Sequence, residues 1–116
     1  MIEGKVWGTT QCIHKNQLFE IHRIYAKSGG YCSEHYHDIK YNMFYIESGE
    51  MKISVFNGDL VDVTVIKDGM STIVPPNVWH MFEALKDTVA YEIYWTELPA
   101  VDIIRRTIGG MKNDTV

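Results

Sequence analysis

The stretch Ser33–Asn42, with the sequence SEHYHDIKYN, decides how the chain folds. It places His35 and His37 two positions apart, and in an extended chain such residues point to the same side. Two imidazole rings can therefore reach one point in space. A third histidine, His80, follows the run Pro75–Trp79 much later in the sequence. We interpret the chain as a β-barrel that brings His80 to the other two histidines, so that the three hold a metal.

The length and composition describe a single domain over residues 1–116, of which 46% are hydrophobic and 22% charged, as is ordinary for a soluble globular protein. The net charge of −4 and the scattered basic residues argue against a nucleic-acid-binding surface, which needs clustered Lys and Arg. No apolar run approaches the ~20 residues of a membrane span, and the N-terminus has no apolar signal segment. We therefore expect a cytoplasmic protein in which Cys12 and Cys32 are free thiols.

Short runs rich in aromatic and β-branched residues alternate with turn signals along most of the chain. Regular spacing of this kind, without a helical period, predicts an all-β sandwich or barrel. Residues 1–16 are predicted to be a loop with one short strand around Lys5–Trp7, and Val101–Arg106 a short helix or an edge strand. The predicted strands are Leu18–Tyr25, Cys32–His37, Asn42–Glu47, Lys52–Phe56, Leu60–Ile66, Met70–Val74, Val78–Leu85 and Val89–Trp95.

Two local patterns add detail to this strand assignment. Asn57-Gly58 lies between two alternating runs and predicts a type I′ hairpin turn, because both residues tolerate positive φ. The triplet Asp38–Lys40 interrupts the histidine strand, and a turn or bulge there would turn Asn42 toward the histidines, although it lies at odd parity from His37. The Asn42 oxygen is then a fourth, neutral ligand, a hydrogen-bond partner of metal-bound water, or a turn cap, and these alternatives stay open.

Three imidazoles with an open coordination position make a catalytic type of metal site. Imidazole suits divalent first-row metals. We therefore predict a divalent transition metal (zinc, manganese, nickel or iron) held by His35, His37, His80 and Asn42.

The last predicted strand supplies two candidate catalytic residues, Glu92 and Tyr94. Alternation puts them on one side of the strand and the apolar Tyr91 and Ile93 on the other. If the side of Glu92 faces the pocket, its carboxyl can be tuned for proton transfer beside a metal; if it faces solvent, Glu92 has no such role. Tyr45 is a further candidate for the pocket wall.

The two histidine motifs resemble those of the cupin family. The first cupin motif runs Gly, His-x-His, Glu, six residues and Gly, and this chain has Gly30, His35, His37, Asn42 and Gly49. The second runs Gly, five residues, Pro-x-Gly, two residues, His, three residues and Asn, and this chain has Gly69, Pro75-Pro76-Asn77, His80 and Ala84. The resemblance covers residues 30–84 and implies a cupin double-stranded β-helix, or jelly roll.

Three positions depart from the cupin pattern: Asn42 replaces the ligand Glu, Asn77 replaces Gly, and Ala84 replaces Asn. Asn77 can keep its turn, because Asn tolerates the left-handed conformation best after Gly. Asn42 leaves a doubly charged metal without an anionic protein ligand. We expect this to weaken metal binding and make bound water more acidic, or to select a different metal.

Four short segments are similar to the cupin domain of type II mannose-6-phosphate isomerases: Lys5–Gly8, Ile21–Ile24, Ile73–His80 and Asp102–Arg105. This resemblance implies metal-assisted isomerisation or epimerisation of a sugar or sugar phosphate, with a small carbohydrate as the ligand. Two alternatives stay open, namely a cupin-type iron oxygenase and a non-catalytic metal- or sugar-binding module. Because small jelly rolls leave edges that need protection, we also expect a homodimer that pairs through the segment around Trp7.

Overall fold

Two antiparallel sheets make up the part of the chain that the computed structural model describes, residues 1–97 and 103–112. A six-stranded sheet has the order β1-β2-β3-β9-β4-β7, and a three-stranded sheet has the order β6-β5-β8. This all-β arrangement confirms the predicted jelly roll. The strands are β1 (Ile2–Lys5), β2 (Gly8–Lys15), β3 (Phe19–Ala26), β4 (Tyr41–Ser48), β5 (Glu50–Asn57), β6 (Leu60–Lys67), β7 (Ser71–Val74), β8 (Trp79–Ala84) and β9 (Thr88–Trp95). These described residues contain no helix able to cross a membrane.

The hydrophobic core lies between the two sheets and follows from strand alternation. Ile24, Phe44 and Ile46 point inward from the large sheet, whereas Ile53 and Phe82 point inward from the small one, and all five are almost fully buried. The Phe44 and Phe82 rings meet edge to face, with centroids 6.1 Å apart. Burial of each such side chain contributes about 2 kcal/mol. The core therefore fixes how the two sheets face each other, and with it the positions of the residues next to it.

The N-terminal region differs from its prediction, because it forms two strands instead of a loop with one strand around Lys5–Trp7. β2 pairs with β3 from Gly8 to Lys15, with a register shift between Cys12 and His14, and β1 pairs with β2. β1 is fully exposed and β2 is exposed over its second half. A strand that is exposed on both sides does not need alternating apolar and polar residues. The prediction depended on such alternation, so it missed these strands.

The histidine stretch also differs, because Cys32–His37 is not a strand. It pairs with β8 at one isolated bridge, His35 with His80, and a second bridge joins the preceding Tyr31 to Glu83. The expected element in Val101–Arg106 is not found in its described part, since residues 103–112 contain neither helix nor strand; residues 101–102 lie outside the described residues.

The hairpin between β5 and β6 is confirmed, but its turn is displaced by one residue. Asn57 pairs with Leu60, so the two turn residues are Gly58 and Asp59. Gly58 has φ of 64° and Asn57 does not have positive φ. Gly with positive φ at the first turn position belongs to a type II′ turn, and the predicted type I′ turn at Asn57-Gly58 is wrong.

Trp7, around which a contact between subunits was expected, packs against its own chain. Its ring meets Phe82 edge to face, with centroids 5.0 Å apart. β1 lies at the end of the large sheet, and no strand in the described part of the chain pairs with its outer edge. The homodimer and its pairing through the segment around Trp7 stay predictions, since Trp7 is only partly buried and the neighbouring Val6 is fully exposed.

Candidate metal centre

His35 and His80 are brought together by backbone pairing. The amide of His35 donates to the carbonyl of His80 at 3.0 Å, and the amide of His80 donates to the carbonyl of His35 at 2.8 Å. The two rings have centroids 4.6 Å apart. Residues paired directly across an antiparallel ladder present their side chains on the same side. One bridge between β8 and the segment before β4 therefore places two of the three histidines.

His37 completes the cluster through the turn that precedes β8. The amide of Asn77 donates to the carbonyl of His37 at 2.8 Å. Asn77 has φ of 65°, the left-handed conformation expected where cupins have Gly. The ring of His37 lies 5.2 Å from that of His35 and 5.5 Å from that of His80, measured between centroids. One nitrogen from each of the three rings lies within 4.8 Å of the others.

Two of the rings are fixed by backbone carbonyls. Nδ1 of His35 is 2.7 Å from the carbonyl of Ser33, and Nδ1 of His80 is 2.8 Å from the carbonyl of Val78. Because a carbonyl accepts, each Nδ1 carries the proton and each Nε2 has a free lone pair in the neutral ring. Metal-binding histidines are commonly oriented in this way by a hydrogen bond at the other nitrogen.

Lowered pKa values of His37 and His80 favour neutral imidazole, the form that binds metals. Burial, reinforced by His35 and His80, lowers the pKa of His37 to about 4. Burial also lowers the pKa of His80. Nε2 of His37 is buried and has no hydrogen-bond partner among the described residues. An unpaired buried nitrogen is costly in an apolar surrounding, so this atom needs a partner that residues 1–97 and 103–112 do not supply.

Asn42 lies opposite the histidines on β4 of the large sheet and is fully buried. Its Oδ1 is 3.2 Å from Nε2 of His80, while its Nδ2 donates to the carbonyl of Met43 at 3.3 Å. Asn42 therefore faces the cluster across the barrel. The sequence analysis expected a turn or bulge to rotate Asn42 toward the histidines within one strand. Instead, the break at Asp38–Lys40 carries the chain from one sheet to the other.

The contact between Asn42 and His80 brings two acceptors together. Nδ1 of neutral His80 carries the ring proton, so neither Nε2 nor the Asn42 Oδ1 has a hydrogen to donate. Two donor atoms bound to one ion at about 2.1 Å lie roughly 3.0–3.4 Å apart, which includes the observed 3.2 Å. Together with the unpaired Nε2 of His37, this geometry fits a cation at the cluster.

A cavity of about 910 Å³ opens beside the cluster. It is lined by His35, by Glu92 and Tyr94 on β9, and by residues of β1–β3 that include Lys5 and His22. Glu92 and Tyr94 thus lie on the pocket side of β9, which decides the alternative left open by the sequence. The ring of Tyr94 also contacts that of His37, with centroids 4.8 Å apart.

Glu92 and Tyr94 form a buried acid pair in this cavity. The hydroxyl of Tyr94 donates to Oε2 of Glu92, whose side chain is almost completely buried. Burial raises the pKa of the Glu92 carboxyl, although the Tyr94 hydroxyl opposes the rise. Burial and the negative charge of Glu92 raise the pKa of Tyr94, so its hydroxyl stays protonated. The Glu92 carboxyl is therefore a candidate proton acceptor, and the Tyr94 hydroxyl, which stays protonated, holds it in place by a hydrogen bond.

Two residues differ from their expected surroundings. Tyr45 does not line the cavity, because it points to the outer side of the large sheet, where its ring is 6.4 Å from that of Tyr91. His22, to which the sequence analysis assigned no role in the site, lines the cavity and pairs with Glu92 across the ladder. Its parity with the buried Ile24 is the signal that could have revealed this.

Comparisons with known proteins agree with this fold. Residues 22–97 match the Cupin domain family. A search of curated protein sequences gave no significant match. KdgF from Halomonas sp. is structurally similar, with a TM-score of 0.73, 11% identity, and coverage of 85% of this chain and 88% of that one.

Two further solved structures share the fold. An RmlC-like cupin from Shewanella frigidimarina NCIMB 400 has a TM-score of 0.72 at 21% identity, covering 85% of this chain and 86% of that one. Oxalate decarboxylase from Lactobacillus farciminis, in a formate complex, has a TM-score of 0.71 at 17% identity, covering 84% of this chain and 31% of that one.

Proposed function

The chain belongs to the cupin family, and on that premise we propose that it binds a divalent transition metal through His35, His37, His80 and Asn42 and isomerises or epimerises a small sugar or sugar phosphate. The buried pair of Glu92 and Tyr94 carries the catalytic part of the proposal, because it places a proton acceptor in the same cavity as His35. Zinc, manganese, nickel and iron all suit the imidazole set.

The chemistry would be proton transfer next to a carbonyl. When bound, the metal would polarise the carbonyl or hydroxyl oxygen of the substrate. The Glu92 carboxylate would take the proton from the hydroxyl-bearing carbon next to the carbonyl. It would return this proton to the former carbonyl carbon, while the hydroxyl proton passes to the former carbonyl oxygen, or, after the deprotonated substrate has turned its other face to Glu92, to the opposite face of the same carbon. The first outcome is isomerisation and the second is epimerisation. The hydroxyl of Tyr94 would hold Oε2 of Glu92 in place throughout.

Metal analysis tests the binding part of this proposal. Protein purified without chelators should contain about one divalent ion per chain, and His37→Gln should lose it because the variant lacks one imidazole ligand. His14→Gln, which changes an exposed histidine outside the cluster, is the matched control and should keep the ion. A protein with no metal that also takes up none on titration would contradict the metal site and both metal-dependent enzyme functions.

Proton exchange tests the catalytic part. The metal-loaded protein, incubated in D₂O with a panel of aldoses, ketoses and their phosphates, should introduce deuterium next to the carbonyl of one substrate, as measured by NMR. Glu92→Gln should lower this rate at least 100-fold and keep the metal, in line with the usual contribution of a general base. Glu83→Gln, on the outside of β8, should leave the rate unchanged. Exchange at the wild-type rate in Glu92→Gln would contradict the role of Glu92.

The neutral donor set favours a second candidate, a binding module without turnover. Asn42 supplies no carboxylate, and the cupin neighbours give the fold alone. Tight metal and sugar binding without any exchange would support the module. Iron found by metal analysis would instead favour the oxygenase. We further propose that the protein is cytoplasmic and forms a homodimer, which size measurement in solution would test.

A further inference from the structure

His22 lies on the inner side of β3, in the wall of the cavity that also contains Glu92. The two residues pair directly across the ladder between β3 and β9. Side chains paired in this way have Cβ atoms about 5 Å apart. The ring of His22 also meets that of Tyr94 edge to face, with centroids 5.8 Å apart. A second group able to carry a proton therefore lies next to the Glu92 carboxyl.

Glu20, which is on the same side of β3, orients the His22 imidazole. Its Oε1 lies 3.2 Å from Nε2 of His22, and its Oε2 accepts a hydrogen bond from Nζ of Lys40 at 2.7 Å. The hydrogen bond from Lys40 lowers the pKa of the Glu20 carboxyl, although burial opposes this effect. Glu20 is therefore an ionised acceptor. Because an ionised carboxylate only accepts, Nε2 of His22 carries a proton.

This tautomer leaves a lone pair on Nδ1 of neutral His22. Within residues 1–97 and 103–112, no group forms a hydrogen bond with that nitrogen. If Nδ1 takes up a proton, the resulting imidazolium has the Glu20 carboxylate at its other nitrogen, and a carboxylate in that position stabilises the charged ring. His22 is thus able to take up a proton at Nδ1 and to give it back.

Isomerisation and epimerisation of a sugar differ in the proton transfers that they require. Epimerisation moves only the proton bound to carbon, whereas isomerisation also moves a hydroxyl proton from one oxygen to its neighbour. Glu92 serves the carbon-bound proton, and the Tyr94 hydroxyl is engaged as a donor to Glu92. The second transfer therefore needs another group. An imidazole suits it, because the ring exchanges protons readily near neutral pH.

We propose that His22 is a further catalytic residue, which carries the hydroxyl proton between two neighbouring oxygens of the substrate, and that the reaction is therefore aldose–ketose isomerisation. After Glu92 has deprotonated the carbon, Nδ1 of His22 takes the proton of the hydroxyl on that carbon, and the electron pair of the broken O–H bond forms the new carbonyl. The electron pair of the C=C bond takes the proton of Glu92 at the former carbonyl carbon. Nδ1 then returns its proton to the former carbonyl oxygen. Both residues end in their starting states, and the inference rests on the proposed function.

Two rates measured on one sample test this inference. The metal-loaded protein is incubated in D₂O with the substrate that exchanges in the panel above, and NMR follows deuterium entry at carbon and conversion into the carbonyl isomer. His22→Gln should leave the exchange rate close to that of wild type and lower the ratio of conversion to exchange at least about 100-fold. Retained exchange also shows that the variant is folded and that Glu92 works. His14→Gln, at an exposed position, is the matched control and should change neither rate.

Two further variants separate proton transfer from a structural role. Glu20→Gln should also lower the ratio, because it removes the charge that stabilises the imidazolium. Imidazole added to His22→Ala should restore conversion, with wild type in the same imidazole concentration as the reference. A merely structural role of His22 predicts no such rescue.

The possible outcomes distinguish this inference from the proposed function. A wild-type protein that exchanges no proton of any sugar would contradict both. A wild-type protein that produces an epimer and no carbonyl isomer would keep the proposed function and overturn the inference. A folded His22→Gln in which the ratio is unchanged would overturn it as well. If circular dichroism shows that His22→Gln is unfolded, Glu20→Gln decides in the same way, and an unchanged ratio overturns the inference alone.

Discussion

Asn42 is the residue that distinguishes this site from the cupin pattern. It is fully buried, and its Oδ1 faces Nε2 of His80 at 3.2 Å. In the metal-free protein these two acceptors oppose each other. A cation between them removes the opposition, so the position is suited to a ligand even though it contributes no charge.

Asn42→Glu should tighten metal binding at least 10-fold, because it adds an anionic oxygen beside three neutral imidazoles. The metal-free variant should lose about 2 kcal/mol or more of stability, because it buries a carboxylate without a partner. Isothermal titration and urea unfolding measure the two effects. Asn42→Leu is the matched variant and should weaken metal binding. Metal affinity that changes in neither variant would place Asn42 outside the ligand set.

The stability of the metal-free protein should fall as the pH falls from about 6.5 to about 4. In the unfolded chain His37 takes up a proton near its ordinary pKa of 6.5, whereas in the folded chain burial delays this to about 4. The unfolded state therefore binds more protons in this window, and acid favours unfolding. After allowance for screening at a partly exposed ring, the effect of His37 is about 1–2 kcal/mol.

The difference between wild type and His37→Gln isolates this effect, since Glu92 and His80 titrate in both proteins. Urea unfolding at a series of pH values should show the wild type losing stability relative to the variant between pH 6.5 and 4. Stability curves that stay parallel over that range would contradict the neutral state assigned to His37.

At the scale of elements, the turns hold the strands in register. Gly49 joins β4 to β5 with φ of 117°, and Gly58 joins β5 to β6 with φ of 64°. A Cβ at Gly49 would lie 2.5 Å from Oγ1 of Thr88 and 2.7 Å from the carbonyl of Asp87, whereas a Cβ at Gly58 would meet nothing within 4 Å. The first turn is thus constrained by both conformation and space, and the second by conformation alone.

Gly49→Ala should therefore cost much more stability than Gly58→Ala. We expect about 1 kcal/mol for Gly58→Ala, from positive φ alone. We expect about 3 kcal/mol or more for Gly49→Ala, because backbone atoms must also move. Urea unfolding of the two variants gives the comparison directly. Equal costs would mean that the space around Gly49 does not matter.

How far the sequence predicts each element depends on whether burial or β-branched composition produces a pattern; β6, exposed at every residue but Ile66, was predicted within one residue from its alternating valines. β3, β4, β8 and β9 were predicted within two residues, because one side of each is buried in the core. β2 was missed because it lies near an exposed edge. The stretch Cys32–His37 was assigned to a strand on spacing, and spacing alone cannot distinguish a strand from an extended segment that touches β8 at the single bridge of His35 with His80.

At the scale of the whole molecule, the site depends on both sheets. Asn42 and Glu92 come from the large sheet, His80 comes from the small one, and His35 and His37 come from the segment that leads from β3 to β4. A bound metal would link these parts. It would thus stabilise the folded state and leave the unfolded chain, in which they are separate, almost unaffected.

Removal of the metal should lower the melting temperature. With free metal at 100 times the dissociation constant, binding adds about 2.7 kcal/mol, or roughly 10 °C for a domain of this size. Calorimetry with and without a chelator measures the difference. His37→Gln is the control, because it should show no response to the chelator. A wild-type protein that melts at the same temperature in both conditions would contradict a stabilising metal.

The part of the candidate site that depends on local spacing was predictable from the sequence. The spacing of His35 and His37 and the distant His80 identified the cluster, and the odd-even pattern of β9 paired Glu92 with Tyr94. Which side of β9 faces the cavity depends on the sheet order, which places β9 between β3 and β4. The role of the Asp38–Lys40 break likewise depends on the change of sheet. The sheet order and the change of sheet depend on contacts between residues far apart in the chain, so they leave no local signal in the sequence.

The bridge between His35 and His80 also bears on the speed of folding. It joins residues far apart in sequence, and such contacts form only after the intervening chain has closed. We expect the three imidazoles to meet only after β4 to β7, which lie between them in the sequence, have folded. Metal should accordingly leave the refolding rate unchanged and slow unfolding, because the stabilising contact is absent from the transition state. In this barrel the ion would set the lifetime of the native state and have no part in its formation.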